Sequence, residues 1–94
     1  MKYEEMSDFE INCRVHAELM QISGLNSFKA KDYCNNPSDA WHIIIDNHIS
    51  IECVTVNRHT FTYRAYHSAS FTKSTHENPL RAAMIVFLKM REKA

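Results

Sequence analysis

The stretch NPLRAAMIVFLKM, Asn78 to Met90, constrains this chain more than any other. At a helical advance of about 100° per residue, Leu80, Ala82, Ala83, Met84, Val86, Phe87, Leu88 and Met90 cover roughly two-thirds of the wheel. Ile85 lies among Arg81, Lys89 and Glu92 on what remains. A helix so apolar is either central and covered on several sides, or part of a subunit interface. A chain of 94 residues rarely covers that much surface alone. The expectation is therefore a homodimer, with Ile85, Val86 and Met90 at its interface.

How that helix starts is also legible. Asn78 offers a side-chain oxygen to free N–H groups, and Pro79 at the first helical position loses no hydrogen bond. The same device occurs earlier: NPSDAWHII and NPLRAAMIV share Asn-Pro-x-x-Ala before an apolar run. Asn36 and Pro37 therefore open a second helix, with Asp39 placed to reach back toward the cap N–H. Trp41, Ile44 and Ile45 should bury one face of it, and Asn47 or His48 should stop it. A third start is Ser7-x-x-Glu10, a capping box, followed by Ile11, Val15 and Leu19 at helical spacing. Asn12 and His16 interrupt the apolar side of that first helix, and Ser23-Gly24 should end it.

Between the second and last helices the period changes from helix to strand. Ile49, Ile51 and Cys53 alternate with polar residues, as do Phe61, Tyr63 and Ala65. Asn57-Arg58 marks a hairpin turn, and the phase of Val54 and Val56 calls for a bulge. Leu25 to Tyr33 reads as a short edge strand or an extended loop. His67 to Glu77 reads as a polar, mobile segment with Phe71 as its anchor. The fold class is α+β: one domain over 1–94, in two layers, a small antiparallel sheet with about three helices packed on one face. Tyr33, Trp41, Ile44, Ile51, Phe61, Met84 and Phe87 should form the core.

Totals exclude several functions. With 11 basic and 11 acidic residues, the chain lacks the cationic excess of a dedicated nucleic-acid binder. Lys29, Lys31, Arg58, Arg64 and Lys73, with Tyr66, are candidates for a basic and aromatic surface, read here as solvated loop and edge residues. No segment is apolar for long enough to span a membrane. Three widely spaced cysteines, Cys13, Cys34 and Cys53, suit reduced thiols in a cytosol.

No histidine or cysteine spacing fits a metal site, since His42 and His48 lie on different helical faces. Cys34 is the best nucleophile candidate because it precedes a helix N-terminus, but no histidine is tied to it locally. Asp39 and Asp46 share a helix face without further support for acid–base work. No cofactor and no catalytic residue is assigned.

Four stretches taken together, MSDFEIN, DYCNNPSDAW, IIIDNHISI and NPLRAAMIVFLKM, resemble the NinX family, small proteins of lambdoid phages and prophages of enterobacteria. The likeness spans both ends and the middle, and is weakest from Asn57 to Glu77. What it implies is an accessory phage protein of no assigned activity, working in the cytoplasm of the bacterial host. The leading expectation is a non-enzymatic protein that binds a host or phage protein. Two alternatives carry their own signatures: a nucleic-acid-associated protein should gather its cations on one face, and a ligand binder or enzyme should show a pocket where Asn12, His16, Asn35 or Asp39 converge.

Overall fold

The computed structural model describes residues 1–20 and 30–93. Its elements run α1 (Asp8–Met20), α2 (Pro37–Asp46), β1 (Ser50–Asn57), β2 (Thr60–His67), β3 (Thr72–His76) and α3 (Pro79–Lys93), with single 3₁₀ turns at Tyr3–Glu5 and Ser68–Ser70. The strands form one antiparallel sheet in the order β1-β2-β3. The fold is α+β, with the helices on one side of the sheet.

The apolar wheel of α3 is explained by its central position. One flank lies across β2 and β3, and the others receive α1 and α2. Every residue from Arg81 to Leu88 is buried. The expected subunit interface is corrected here: Ile85 and Val86 are buried inside the chain itself, and Met90 is half-buried against the same core. A helix covered from several directions needs no second subunit to hide it. The sheet receives α3 on small side chains, Ala65, Thr72 and Ser74, which register places on one face and which are all buried. Small residues there leave room for Met84 and Phe87, both fully buried.

Four residues of the expected core, Tyr33, Ile44, Met84 and Phe87, are buried. Trp41, Ile51 and Phe61 are not: they are 64%, 38% and 51% exposed. On the strands the phase is right and the cover is missing. Ile51 pairs with buried Ala65, so it points to the helix side, but α3 barely reaches β1. No residue of β1 is buried.

The stretch after the hairpin is also corrected. His67 to Glu77 holds a 3₁₀ turn and then β3, and Phe71 stands 92% exposed instead of anchoring it. The bulge lies between Thr55 and Asn57. The α2 helix ends at Asp46; Asn47 Nδ2 donates to Ile43 O (2.8 Å) and His48 turns the chain with a left-handed φ of 55°. The expected end of the first helix at Ser23-Gly24, and most of the expected edge strand from Leu25, lie outside the described residues; Ala30 to Asp32 are not strand.

Candidate functional site

Two features compete for the role of functional site. The first is a polar node where the beginnings of the helices meet. Ser7 and Glu10 close α1 with reciprocal bonds: Glu10 N donates to Ser7 Oγ (3.1 Å) and Ser7 N to Glu10 Oε1 (3.5 Å). Asn36 Oδ1 accepts from Ser38 N (3.0 Å), with Pro37 in the first turn of α2. Asn78 Oδ1 accepts from Leu80 N (3.0 Å) and Arg81 N (3.3 Å), with Pro79 opening α3. Asp39 does not reach back as expected. The N–H of Asn36 donates to Asp32 O (2.8 Å), so the cap is closed from the upstream side.

Side chains around these caps then join the three ends. Asn78 Nδ2 donates to Cys34 O (2.7 Å) and to Asn35 Oδ1 (3.0 Å), tying α3 to the turn that leads into α2. Buried Asn12 donates to Asp32 Oδ1 (2.9 Å) and accepts from Cys34 N (3.0 Å), tying in α1. Asn35 Nδ2 donates to Asp8 Oδ2 (3.2 Å) and Asp32 Oδ1 (3.1 Å). Arg81, buried in the first turn of α3, donates to Asp8 Oδ1 (2.7 Å), Met6 O (2.6 Å) and Glu4 O (3.3 Å). Burial works to raise the Asp8 carboxyl, but the hydrogen bonds from Arg81 and Asn35 outweigh it and hold the group below the ordinary carboxylate value.

A cleft of about 370 Å³ opens beside this node, lined by Asp8, Phe9, Asn12, Lys31, Asp32 and Asn35 among others. Asn12 and Asn35 thus converge, as a ligand site would require. Their polar atoms are spent on the fold, however, and Asp39 and His16 are elsewhere; His16 Nδ1 sits 3.4 Å from Tyr33 Oη. Cys34 is fully buried, and burial pushes its thiol up to about 12, overriding the helix N-terminus. It stays a thiol at neutral pH. The described residues hold no group of three or more His, Cys, Asp or Glu placed to share a metal ion.

The second feature is apolar and faces outward. Trp41 and Ile45 stand one turn apart on the open side of α2, Ile51, Val56 and Phe61 stand on the hairpin, and Phe71 stands at the corner before β3, all exposed. Phe71 adopts a left-handed φ of 53°, a costly conformation for an aromatic residue. It separates two hollows, one of about 440 Å³ lined by Tyr66, His67, Ser68 and Lys73, the other of about 340 Å³ on the α3 side. Sequence reading missed a pair here: His67 Nδ1 lies 2.7 Å from Ser70 Oγ, which lies 2.7 Å from Thr72 Oγ1. Ser70 N also donates to His67 Nδ1, so the ring caps the 3₁₀ turn; among the described residues no carboxylate hydrogen-bonds it.

The candidate basic surface gathers only in part. Register puts Arg64, Tyr66 and Lys73 together on the sheet face away from α3, with Tyr66 opposite Lys73, but Arg64 is paired with Glu52, Arg58 sits at the hairpin turn and Lys31 ahead of α2, while Lys29 lies outside the described residues.

The model of the family described as Bacteriophage P22, NinX matches residues 2–91. The chain belongs to the NinX family. No curated protein and no solved structure matches it. Three of the four stretches that carry the NinX resemblance build the node: MSDFEIN supplies Asp8 and Asn12, DYCNNPSDAW supplies Asp32 to Asn36, and NPLRAAMIVFLKM supplies Asn78 and Arg81. No helix among the described residues is long and apolar enough to cross a membrane.

Proposed function

We propose that this NinX protein is a non-enzymatic phage accessory protein that acts by binding another protein, of host or phage origin, in the cytoplasm of the bacterial host. The observation that carries the reading is the distribution of its groups. Polar side chains that would serve a ligand are bonded to one another at the node. Large apolar side chains that would serve the core are left in water on α2, the hairpin and the Phe71 corner. Aromatic residues held on regular elements are the usual anchors of protein interfaces, because they bury much area at little entropic cost. The left-handed Phe71 supports the same reading, since strain at a fully exposed aromatic gains the fold nothing.

Affinity capture of the tagged protein from infected cells tests this, with and without nuclease, beside the variants Trp41→Ser, Phe61→Ser and Phe71→Ser. The expected result is one stoichiometric protein that survives nuclease and is lost with at least one aromatic variant. A catch that disappears with nuclease replaces this reading with a nucleic-acid role. A partner indifferent to all three substitutions overturns the assignment of the surface.

A further inference from the structure

We propose that the outer edge of β1 pairs with β1 of a second copy of this chain, antiparallel, about a two-fold axis at Cys53. This concerns the backbone edge of the strand; of the exposed apolar residues above it uses Ile51 of that strand, while Trp41, Phe61 and Phe71, the positions of the capture variants, lie on other elements.

The strand order leaves two edges, and they are built differently. The β3 edge strand is short and carries Lys73 within it. Its flank is partly occupied: Lys89 Nζ donates to Lys73 O (3.2 Å) and Lys93 Nζ to Ser70 O just before the strand (2.9 Å). A short, lysine-bearing edge of this kind discourages pairing. By contrast β1 runs from Ser50 to Asn57 with no lysine and no proline. Its only charge, Glu52, is already spent on Arg64 of β2. The bulge is confined to the far end, between Thr55 and Asn57. Among the described residues, nothing pairs with the outer side of this run.

Charge and register argue for a second copy as the occupant. Antiparallel pairing about a two-fold axis sets residues opposite one another at a constant sum of numbers. Val56 lies in the bulge, so the regular run is Ser50 to Thr55, and an axis at Glu52 or at Cys53 uses five of its residues. The axis at Cys53 sets Ile51 against the partner's Thr55, Glu52 against Val54, and Cys53 against Cys53. No charge then faces a like charge, and each Glu52 brings its own Arg64. An axis one residue earlier would set the two Glu52 carboxylates opposite each other, which is unfavourable. On the helix side, the exposed Ile51 and Cys53 of both copies join in one strip. The product is a six-stranded sheet that ends at both sides in the blunted β3 edge, so assembly stops at the dimer.

Cysteine cross-linking with diamide, beside sedimentation equilibrium of the full chain, tests the proposal. Cys13 and Cys34 are buried and Cys53 is exposed, so Cys53 is the natural reporter. Opposed residues of an antiparallel pair have Cα atoms about 4.5–5.5 Å apart, within the reach of a disulfide. Two thiols lose two protons and two electrons to diamide and form one disulfide. The expected outcome is a covalent dimer of twice 11.0 kDa that Cys53→Ser abolishes. In the Cys53→Ser background, Ile51→Cys alone and Thr55→Cys alone give no cross-link, and the two together restore it.

Val54→Glu, which sets like charges opposite each other twice, weakens the unoxidised dimer by about tenfold, and Val54→Lys tightens it. A chain that sediments as a monomer at every concentration overturns the proposal. So does Ile51→Cys alone cross-linking as fast as Cys53. These readouts need no other partner, so their failure leaves the capture experiment to be judged separately.

Discussion

The polar node and the overhanging hairpin are opposite solutions to the same problem, the placing of groups that fit neither water nor core. At the node, polar groups that range from buried Asn12 and Arg81 to exposed Asp32 and Asn35 bond to one another, with Arg81 Nε left as a buried atom without a partner. Asn12, Asn35, Asn78 and Arg81 each bond across elements, so the helix starts are fixed relative to one another. On the hairpin, Ile51 and Phe61 keep strand phase and find no cover, and Val56 stands exposed at the bulge. Polar groups bonded across elements hold a fold together and leave little for a ligand. Uncovered apolar groups cost the fold little to change and leave surface for a partner.

Breaking the node should have the largest effect. Arg81→Ala leaves Asp8 Oδ1 and the Met6 carbonyl without the Arg81 donor and should cost about 2–4 kcal/mol, toward the lower end because Asp8 is partly exposed and keeps its bond from Asn35. Urea denaturation measures it, and a loss under ~1 kcal/mol would remove the node from the account. Next comes a contrast between two caps of identical sequence type. Asn78→Ala should cost about 2 kcal/mol, since the residue also joins α3 to the turn before α2. Asn36→Ala loses a cap alone and should cost about 0.5–1 kcal/mol. Equal costs would show that the cross-links contribute nothing.

The pH dependence sharpens the same side. The Asp8 carboxyl is lowered in the folded state, so its stabilisation is complete above the ordinary value of 3.8 and is lost as pH falls through the lower folded value. Asp8→Asn should flatten that acid limb of the stability curve. The smallest effects belong to the open surface. Trp41→Ser and Phe61→Ser should change stability by no more than ~0.5 kcal/mol, and Asp39→Ala, which closes no cap, should do no more.

Local rules made much of this legible. A cap involves residues two or three apart, so Ser7 with Glu10, Asn36 with Pro37, and Asn78 with Pro79 can be read from spacing alone. The phase of the hairpin strands was legible for the same reason. Whether a neighbour covers a strand face is not local, which is why Trp41, Ile51 and Phe61 looked like core. The β3 strand escaped because its inward residues, Thr72 and Ser74, are small and polar and give no alternation. Arg81 seemed to belong to a solvated arc, because its acceptors lie more than seventy residues away in the chain. The wheel of α3 told that it must be covered, not by what. The covering elements belong to the same chain.

The most direct test sets Asn78→Ala and Phe61→Ser side by side in urea denaturation. Stability should fall by about 2 kcal/mol for the first and stay within ~0.5 kcal/mol of the parent for the second. An unchanged midpoint for Asn78→Ala together with a clear loss for Phe61→Ser would contradict the division between a polar node that holds the fold and apolar side chains that the fold leaves uncovered.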